Sequence, residues 1–406
     1  MNKIFHITII FFVIIISALT LNVTILQTAS YATTVGIIDT VFDLDNPLLA
    51  KSLDQSSLTS ISIKETSLKE YNRQKFTQTQ KEFTTHPCYQ KANELLLTKA
   101  QLGLKDALKN HSKLTQELEM AVALGSNYYH GTHVAGIILN SNSSNKQFKH
   151  KIVPFPFISS SKINIRKNKK LTKKMISSLI LQLKNALELF ELNPESISPI
   201  EEINQLISTS KPKVVNLSIG FNVEKIVKFY RKISAPDITT KMLYELVQLS
   251  TAFGRKKFDF IVKNNPHVLF VSSAGNNSEN LDKIKYPQTL TSAPNLIIVG
   301  SSSYQDKQKL SKISNYGKKT VDLIAPGEKI TSLLAKGDKS NNVVTFSGTS
   351  MSAPLVTRII ADIFQEYEDQ EKKLSVEEVK KIFFSKYTNK CKNLSNKVKD
   401  GCYLDL

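Results

Sequence analysis

Short β-branched runs recur along this chain, and each is followed by residues at helical spacing. Thr34-Val35-Gly36-Ile37-Ile38, residues 152–157, Val214-Val215-Asn216-Leu217-Ser218, residues 267–272 and residues 296–300 are each apolar and bounded by turn residues. Runs of that length read as strands buried on both faces. Between them, Leu95, Leu96, Ala100, Leu104, Ala107 and Leu108 recur on a Lys- and Gln-rich background, and Leu179, Ile180, Leu183, Ala186 and Leu187 give residues 176–190 an amphipathic face. Residues 130–139 and 350–367 read as two further helices, and Ser375-Val376-Glu377-Glu378 opens a last one with a capping arrangement. Strands that alternate with helices call for a doubly wound α/β fold, a parallel sheet covered by helices on both faces.

Size and composition agree with that class. A chain of 406 residues with 41% hydrophobic and 22% charged residues can bury a core, which excludes wholesale disorder. Three Cys exclude a disulfide scaffold. Lys plus Arg minus Asp plus Glu is 54 − 35 = +19, a charge that bears on anionic surfaces and solubility rather than on fold.

The first 32 residues stand apart. Lys3 precedes an apolar run over residues 9–16 that continues with interruptions to Leu26, and Ser30-Tyr31-Ala32 sets small residues at the −3 and −1 positions of a cleavage site. That order is the order of a secretory signal, with cleavage expected after Ala32 and Thr33 as the new N-terminus. The runner-up is an uncleaved anchor, because residues 4–26 are long enough to span the ~30 Å of a bilayer as a helix. Either way the chain is expected to be exported, and export with no binding motif argues against a nucleic-acid partner. The mature charge becomes 53 − 35 = +18.

Four boxes carry the chemistry. In Ile38-Asp39-Thr40-Val41, the carboxylate of Asp39 closes a strand, at the edge where α/β sheets place their ligands. In His130-Gly131-Thr132-His133-Val134-Ala135-Gly136, an imidazole at the expected start of a helix is followed by small residues that allow close packing. His133 reads as the core or capping partner of the two; a His pair three residues apart with no nearby carboxylate or Cys is weak evidence for a metal. Ser273-Ala274-Gly275-Asn276-Asn277 follows a strand directly. In Gly348-Thr349-Ser350-Met351-Ser352-Ala353-Pro354, a Ser stands at a helix start where unpaired N–H groups favour negative charge. Pro354 is expected within the first turn, where its missing N–H costs nothing. Taken singly, each box has an ordinary explanation as a turn, a cap or a core strand.

Taken together, and in this chain order, the boxes resemble the subtilisin-like serine peptidases. The matching runs are IIDT, HGTHVAG, VVNLSIG, SSAGNN, SNYG, VDLIAPG and GTSMSAP, spread over residues 35–359. The resemblance implies a doubly wound subtilisin-like fold and peptide-bond hydrolysis through an acyl-enzyme. Ser350 becomes the nucleophile, His130 its base and Asp39 the group that orients His130, with an oxyanion hole made from the Asn276 amide and the Ser350 backbone N–H. It further implies that Ser218, Ile219 and Gly220 pair with an extended protein or peptide substrate and that Ser273 and Gly275 line the pocket beside the scissile bond.

Departures from the family pattern set further expectations. Val41 replaces the usual Gly after Asp-Thr, and Leu355, Thr357 and Arg358 replace the usual His and small residues after Ala353-Pro354. Leu48 stands where many relatives have a calcium-ligating Asp, so a structural calcium is doubtful and no cofactor is expected. The peptidase domain is expected over residues 33–390, with helical insertions at about 51–126, 160–210 and 221–265 and a tail over 391–406. Cleavage after Ala32 leaves six residues before Asp39, no room for an N-terminal folding propeptide. The basic stretch 162–174, with Lys162, Arg166, Lys167, Lys169, Lys170, Lys173 and Lys174, reads as a solvated loop first and an anionic-envelope contact second. Cys391 and Cys402 lie close enough in sequence to pair, leaving Cys88 odd. A catalytically silent scaffold that keeps this fold is the alternative function. Nothing in the sequence speaks to oligomeric state.

Overall fold

β1 (Thr34–Asp39) is a six-residue strand that is buried at every position after Thr34. The computed structural model describes residues 32–63, 65–98, 116–139, 150–157, 170–192, 200–220, 223–283, 293–335 and 343–405. The expected signal segment up to Tyr31 and the basic residues from Lys162 to Lys169 lie outside that set. After a small ribbon of β2 (Ser62–Ile63) and β3 (Thr66–Ser67) come β4 (Lys151–Pro156), β5 (Val214–Leu217), β6 (Leu269–Ser273), β7 (Leu296–Ser302) and β8 (Leu323–Pro326). A hairpin of β9 (Ile330–Leu333) and β10 (Val343–Phe346), then β11 (Thr388–Lys390) and β12 (Cys402–Leu404), complete the strands.

One eight-stranded sheet runs in the order β11-β12-β8-β7-β6-β5-β1-β4. All its pairings are parallel except β11 with β12. From β1 the chain winds outward to β4 and then returns to the other side of β1 at β5. The order therefore reverses at the crevice between β1 and β5, where open α/β sheets bind their ligands.

The helices are α1 (Pro47–Ala50), α2 (Gln55–Ser60), α3 (Leu68–Thr84), α4 (Tyr89–Thr98), α5 (Gln116–Ile138), α6 (Lys173–Leu192), α7 (Ile200–Ser210), α8 (Val223–Ile233), α9 (Thr240–Asn264), α10 (Thr349–Glu368) and α11 (Val376–Tyr387). The expected capping box forms: Ser375 accepts from the Glu378 N–H, and Glu378 reaches back to the Ser375 N–H. α10 lies along β5 to β8, and α7 along β1 and β4. The far end of α10 is tied to the start of β1, where the buried Thr33 N–H donates to Gln365 Oε1 at 2.6 Å.

Beside the main core stand two satellite cores. In the first, Phe76 and Phe83 of α3, Leu95 and Leu96 of α4, and Val122, Tyr128 and Tyr129 of α5 pack together with Val41 and Leu334. The bulk of Val41, the departure noted after Asp-Thr, is thus absorbed by helices of the first insertion. The second core joins Ile176 and Ile180 of α6, Val227 of α8, and Leu243, Leu246 and Val247 of α9, so helices from both later insertions share one cluster.

Three sequence expectations need correction. Of the stretch 391–406, Cys402–Leu404 is no tail but a buried strand inserted between β11 and β8. Three residues carry too little alternation to stand out in a Lys-rich context. Cys391 and Cys402 are not bridged, and Cys88 is free as well. The register pairs Lys390 with Cys402, while the Cys391 N–H donates to Gly401 O, so the two thiols sit one position out of step and on opposite sides of the ribbon. Finally, His130 does not begin a helix: α5 runs unbroken from Gln116 through His130 to Ile138. Burial of Tyr128 and Tyr129 in the aromatic satellite core extends the helix N-terminal to the histidine. The rings of Phe76 and Tyr128 stack at 5.1 Å between centroids, and those of Tyr128 and Tyr129 lie 4.8 Å apart.

Candidate active site

The sheet register brings three of the boxes into one row. Ile38 of β1 pairs with Leu217 of β5, and Leu217 pairs with Ser272 of β6. The next residue along the chain in each case is Asp39, Ser218 and Ser273, so these three stand side by side at the carboxyl edge, about 4.8 Å apart per strand. All three are buried. Beyond Ser218 the chain emerges, with Ile219 half-buried and Gly220 exposed, its missing Cβ facing open space.

α5 delivers the imidazole to this row. His130 Nδ1 lies 2.6 Å from Asp39 Oδ1, and the same oxygen accepts from the Thr40 N–H at 2.6 Å. The bond to a carboxylate places the proton on Nδ1 and leaves Nε2 as the basic nitrogen. Two contacts hold the helix to the β1 loop: the Gly131 N–H donates to Thr40 Oγ1 at 3.2 Å, and the Asp43 N–H donates to Thr132 Oγ1 at 2.9 Å. Gly131 allows the approach, since a Cβ there would sit 2.4 Å from Val41 O. The His130 side chain is 18% exposed and that of Asp39 fully buried. Burial pulls the His130 pKa down, but the charge and hydrogen bond of Asp39 outweigh it, and the net shift is upward from 6.5.

α10 delivers the hydroxyl. Ser350 is its second residue, and its Oγ donates to Ser218 O at 3.3 Å. Among the described residues no hydrogen bond joins Ser350 Oγ to His130. Ser218 Oγ in turn donates to Ser350 O at 3.1 Å, so the two serines exchange hydrogen bonds. Pro354 explains why that carbonyl is available. It lies inside α10, beyond the first turn where the sequence placed it, and lacks the N–H that would have bonded Ser350 O. Asn216 Nδ2 donates to Ser218 Oγ at 3.0 Å, and Thr357 Oγ1 donates to Asn216 Oδ1 at 3.1 Å. Thr357, one of the departures after the Ala-Pro pair, therefore tethers α10 to β5.

Asn276 meets the start of α10. Its Oδ1 accepts from the Thr349 N–H at 2.8 Å and from Thr349 Oγ1 at 3.1 Å. A backbone N–H only donates, so the atom facing it is the oxygen, and the amide nitrogen points elsewhere as an available donor. The Ser350 N–H has no partner among the described residues. Asn276 is held to the residue before Ser350, so its amide nitrogen and the Ser350 N–H are two donors at one helix N-terminus, where negative charge is favoured. Gly275 turns the chain towards Asn276 with φ +98° and donates its N–H to Thr349 Oγ1 at 3.0 Å.

Asp39, His130, Ser218, Ser273, Gly275, Asn276 and Ser350 are all brought to one edge of the sheet. Thr349, Asn216 and Thr357 were not singled out from the sequence; a polar Asn within the apolar run VVNLS was the available signal. His133 is a core residue, as expected. It is fully buried, lies with its ring centroid 4.7 Å from that of Phe346 in a tilted arrangement, and directs Nε2 at the carbonyls of Ile330 and Val344, 3.1 Å from each. Leu48 packs against the main core, and the neighbouring Asn46 Oδ1 accepts from the Leu48 and Leu49 N–H groups. At this position an apolar side chain and an amide oxygen already accepting two N–H groups do not fit a calcium ion.

Comparisons place this architecture among known proteins. The family described as Peptidase S8, subtilase family, matches residues 30–400, and the chain belongs to that family. It is 39% identical over 123 residues to the major intracellular serine protease of Bacillus subtilis, covering 29% of this chain and 34% of that protein. It is 34% identical over 118 residues to subtilisin-like protease 2 of Plasmodium falciparum, covering 29% of this chain and 8% of that one. The alignments thus span about a third of the first relative and less than a tenth of the second. The crystal structure of the A-subunit of an AB5 toxin from E. coli superposes with a TM-score of 0.50 at 16% identity, covering 94% of this chain and 93% of that one, a likeness of fold.

Proposed function

We propose that this chain is an exported serine endopeptidase that cleaves proteins or peptides bound as an extended strand. Ser350 attacks the scissile carbonyl. The hydroxyl rotates from Ser218 O to His130 Nε2, which takes its proton and returns it to the leaving amine. Asp39 holds the imidazole in the productive tautomer and stabilises its protonated form. The tetrahedral oxyanion is met by Asn276 Nδ2 and the Ser350 N–H, and water then hydrolyses the acyl-enzyme. The substrate backbone pairs along Ser218, Ile219 and Gly220, with the side chain before the cut against Ser273 and Gly275.

The observation that carries this reading is the 2.6 Å contact between His130 Nδ1 and Asp39 Oδ1, at the crevice to which Ser218 also ties Ser350. A carboxylate–imidazole pair beside a serine at a helix start activates an otherwise weak nucleophile. Export rests on the order of residues in the first 32 positions; among the described residues no helix is long and apolar enough to cross a membrane. A fluorophosphonate probe tests the activity. The folded parent is expected to be labelled and Ser350→Ala to lose the label. Folded parent protein that takes no label would overturn the reading in favour of a silent scaffold. Intact mass of the secreted form tests processing, with Thr33 expected as its first residue.

A further inference from the structure

The run Ser314-Asn315-Tyr316-Gly317 counted towards the family resemblance but received no task in the mechanism. We infer that Asn315 is a positioning residue for the oxyanion donor, acting through the loop that carries Asn276; the inference rests on the oxyanion role proposed above. Asn315 is fully buried and lies on the segment between β7 and β8. Every hydrogen-bonding group it brings to the loop has a partner there. Its Nδ2 donates to Ala274 O at 3.0 Å, and its Oδ1 accepts from the Asn277 N–H at 2.9 Å and from the Glu279 N–H at 3.0 Å. Its own N–H donates to Gly275 O at 2.8 Å.

These four bonds bracket Asn276 on both sides without touching it. The loop needs such a frame. Asn276 is exposed, and among the described residues its side chain is anchored by Thr349 alone. Left-handed Gly275 lies just before it, and Ser278, two residues after it, also has a positive φ of 61°. An L residue at Ser278 is held in that sparsely populated region only where surrounding bonds over-determine it. The packing is close as well: a Cβ on Gly275 would lie 2.6 Å from Asn315 Nδ2. One buried amide therefore fixes the direction in which Asn276 Nδ2 points. A donor placed even about 1 Å away from its position loses much of its value to a developing charge.

The test is a double-mutant cycle on the full chain, read as kcat and KM on a peptide ester. Loss of one oxyanion donor, Asn276→Ala, is expected to lower kcat about a hundred- to a thousandfold, a range carried over from a subtilisin rather than calculated for this chain. Asn315→Ala is expected to lower kcat about ten- to a hundredfold with KM within about twofold, while fluorophosphonate still labels Ser350. In the Asn276→Ala background the same substitution should cost less than about threefold more, because the donor it aims is gone. Asn315→Asp keeps an acceptor for Asn277 and Glu279 but replaces the donor to Ala274 O with a carboxylate oxygen and its buried charge. It is expected to lower kcat about tenfold, and it serves as the readout if Asn315→Ala fails to fold. Fully multiplicative losses, or a loss confined to KM, would show that Asn315 merely supports the structure and overturn the inference. If Asn276→Ala itself leaves kcat unchanged, the oxyanion assignment falls first and the inference falls with it.

Discussion

His130 and His133 sit one turn apart on α5, and their surroundings turn one side chain into opposite chemical objects. His130 faces the Asp39 carboxylate, is 18% exposed, and has its pKa raised. His133 faces two carbonyl oxygens and the ring of Phe346, with a buried Nδ1 that has no partner among the described residues. Burial, together with the charge of His130 nearby, pushes its pKa down to about 3, against the weaker upward pull of the two carbonyls. Neutral dipoles do not offset the desolvation of an imidazolium, whereas a full charge at bonding distance does. The carboxylate at the end of β1, rather than the helix, therefore raises the basicity of His130 and suits it to the role proposed for it, while His133 stays a buried neutral ring.

Removing that carboxylate's charge is the largest break in the comparison. Asp39→Asn is expected to lower kcat by roughly 10⁴, since the amide selects the wrong tautomer of His130 while leaving the geometry in place. Any residual activity should show its acid limb at lower pH than the parent, because burial then acts on His130 unopposed. A pH–rate profile of parent and variant measures both. An unmoved limb would mean that His130 is not the titrating base.

Replacing the other histidine should act on stability instead. His133→Phe keeps the ring contact with Phe346 but leaves the Ile330 and Val344 carbonyls without their donor, a loss of about 1–3 kcal/mol in denaturant melts. It should also alter the response to acid. In the parent, the unfolded chain protonates His133 below about 6.5 and the folded chain does so only near 3. Between those values the unfolded state binds the extra proton, so stability is lost as pH falls, at ~1.4 kcal/mol per pH unit for this group. The phenylalanine variant should lose that part of the slope. A slope equal to the parent's would show that His133 is not buried neutral.

A smaller effect concerns the parent alone. In the proposed mechanism His130 must be unprotonated to accept the Ser350 proton, so kcat/KM should rise with pH through an apparent pKa above 6.5. A limb centred below 6.5 would reverse the balance between burial and Asp39 argued above.

Much of this contrast was readable before any coordinates, and the parts that were not share a cause. Asp39, Ser218 and Ser273 each end or follow a β-branched run, and parallel register alone aligns them. Local sequence also marked His133 as a core residue. It did not reveal that α5 continues N-terminally through His130, because that continuation depends on Tyr128 and Tyr129 finding Phe76 and Phe83 in α3. The strand at Cys402–Leu404 likewise exists through pairing with nearby β11 on one side and, on the other, with β8, far away in sequence. Asn216 interrupts an apolar run, but neither its role nor that of Asn315 is defined until their distant partners are known. Tertiary contacts, not propensity, decide such positions.

Ser218→Ala offers the finest discrimination, because it disturbs the nucleophile and neither histidine. Pro354 leaves Ser350 O without an intrahelical donor, and Ser218 Oγ supplies one while accepting from Asn216 Nδ2. Alanine leaves that carbonyl and that amide unmatched, a loss of about 1–2 kcal/mol in stability. The Ser350 backbone is held less firmly, so kcat should fall by a factor of about three to ten. The backbone carbonyl of Ser218 remains to receive the Ser350 hydroxyl, which is why the loss stops well short of the Asp39→Asn effect. No charge near His130 changes, so the acid limb of the pH–rate profile should stay where the parent has it. A limb that moves with this substitution would show that the serine pair and the imidazole titrate as one unit, and that the raised pKa of His130 does not come from Asp39 alone.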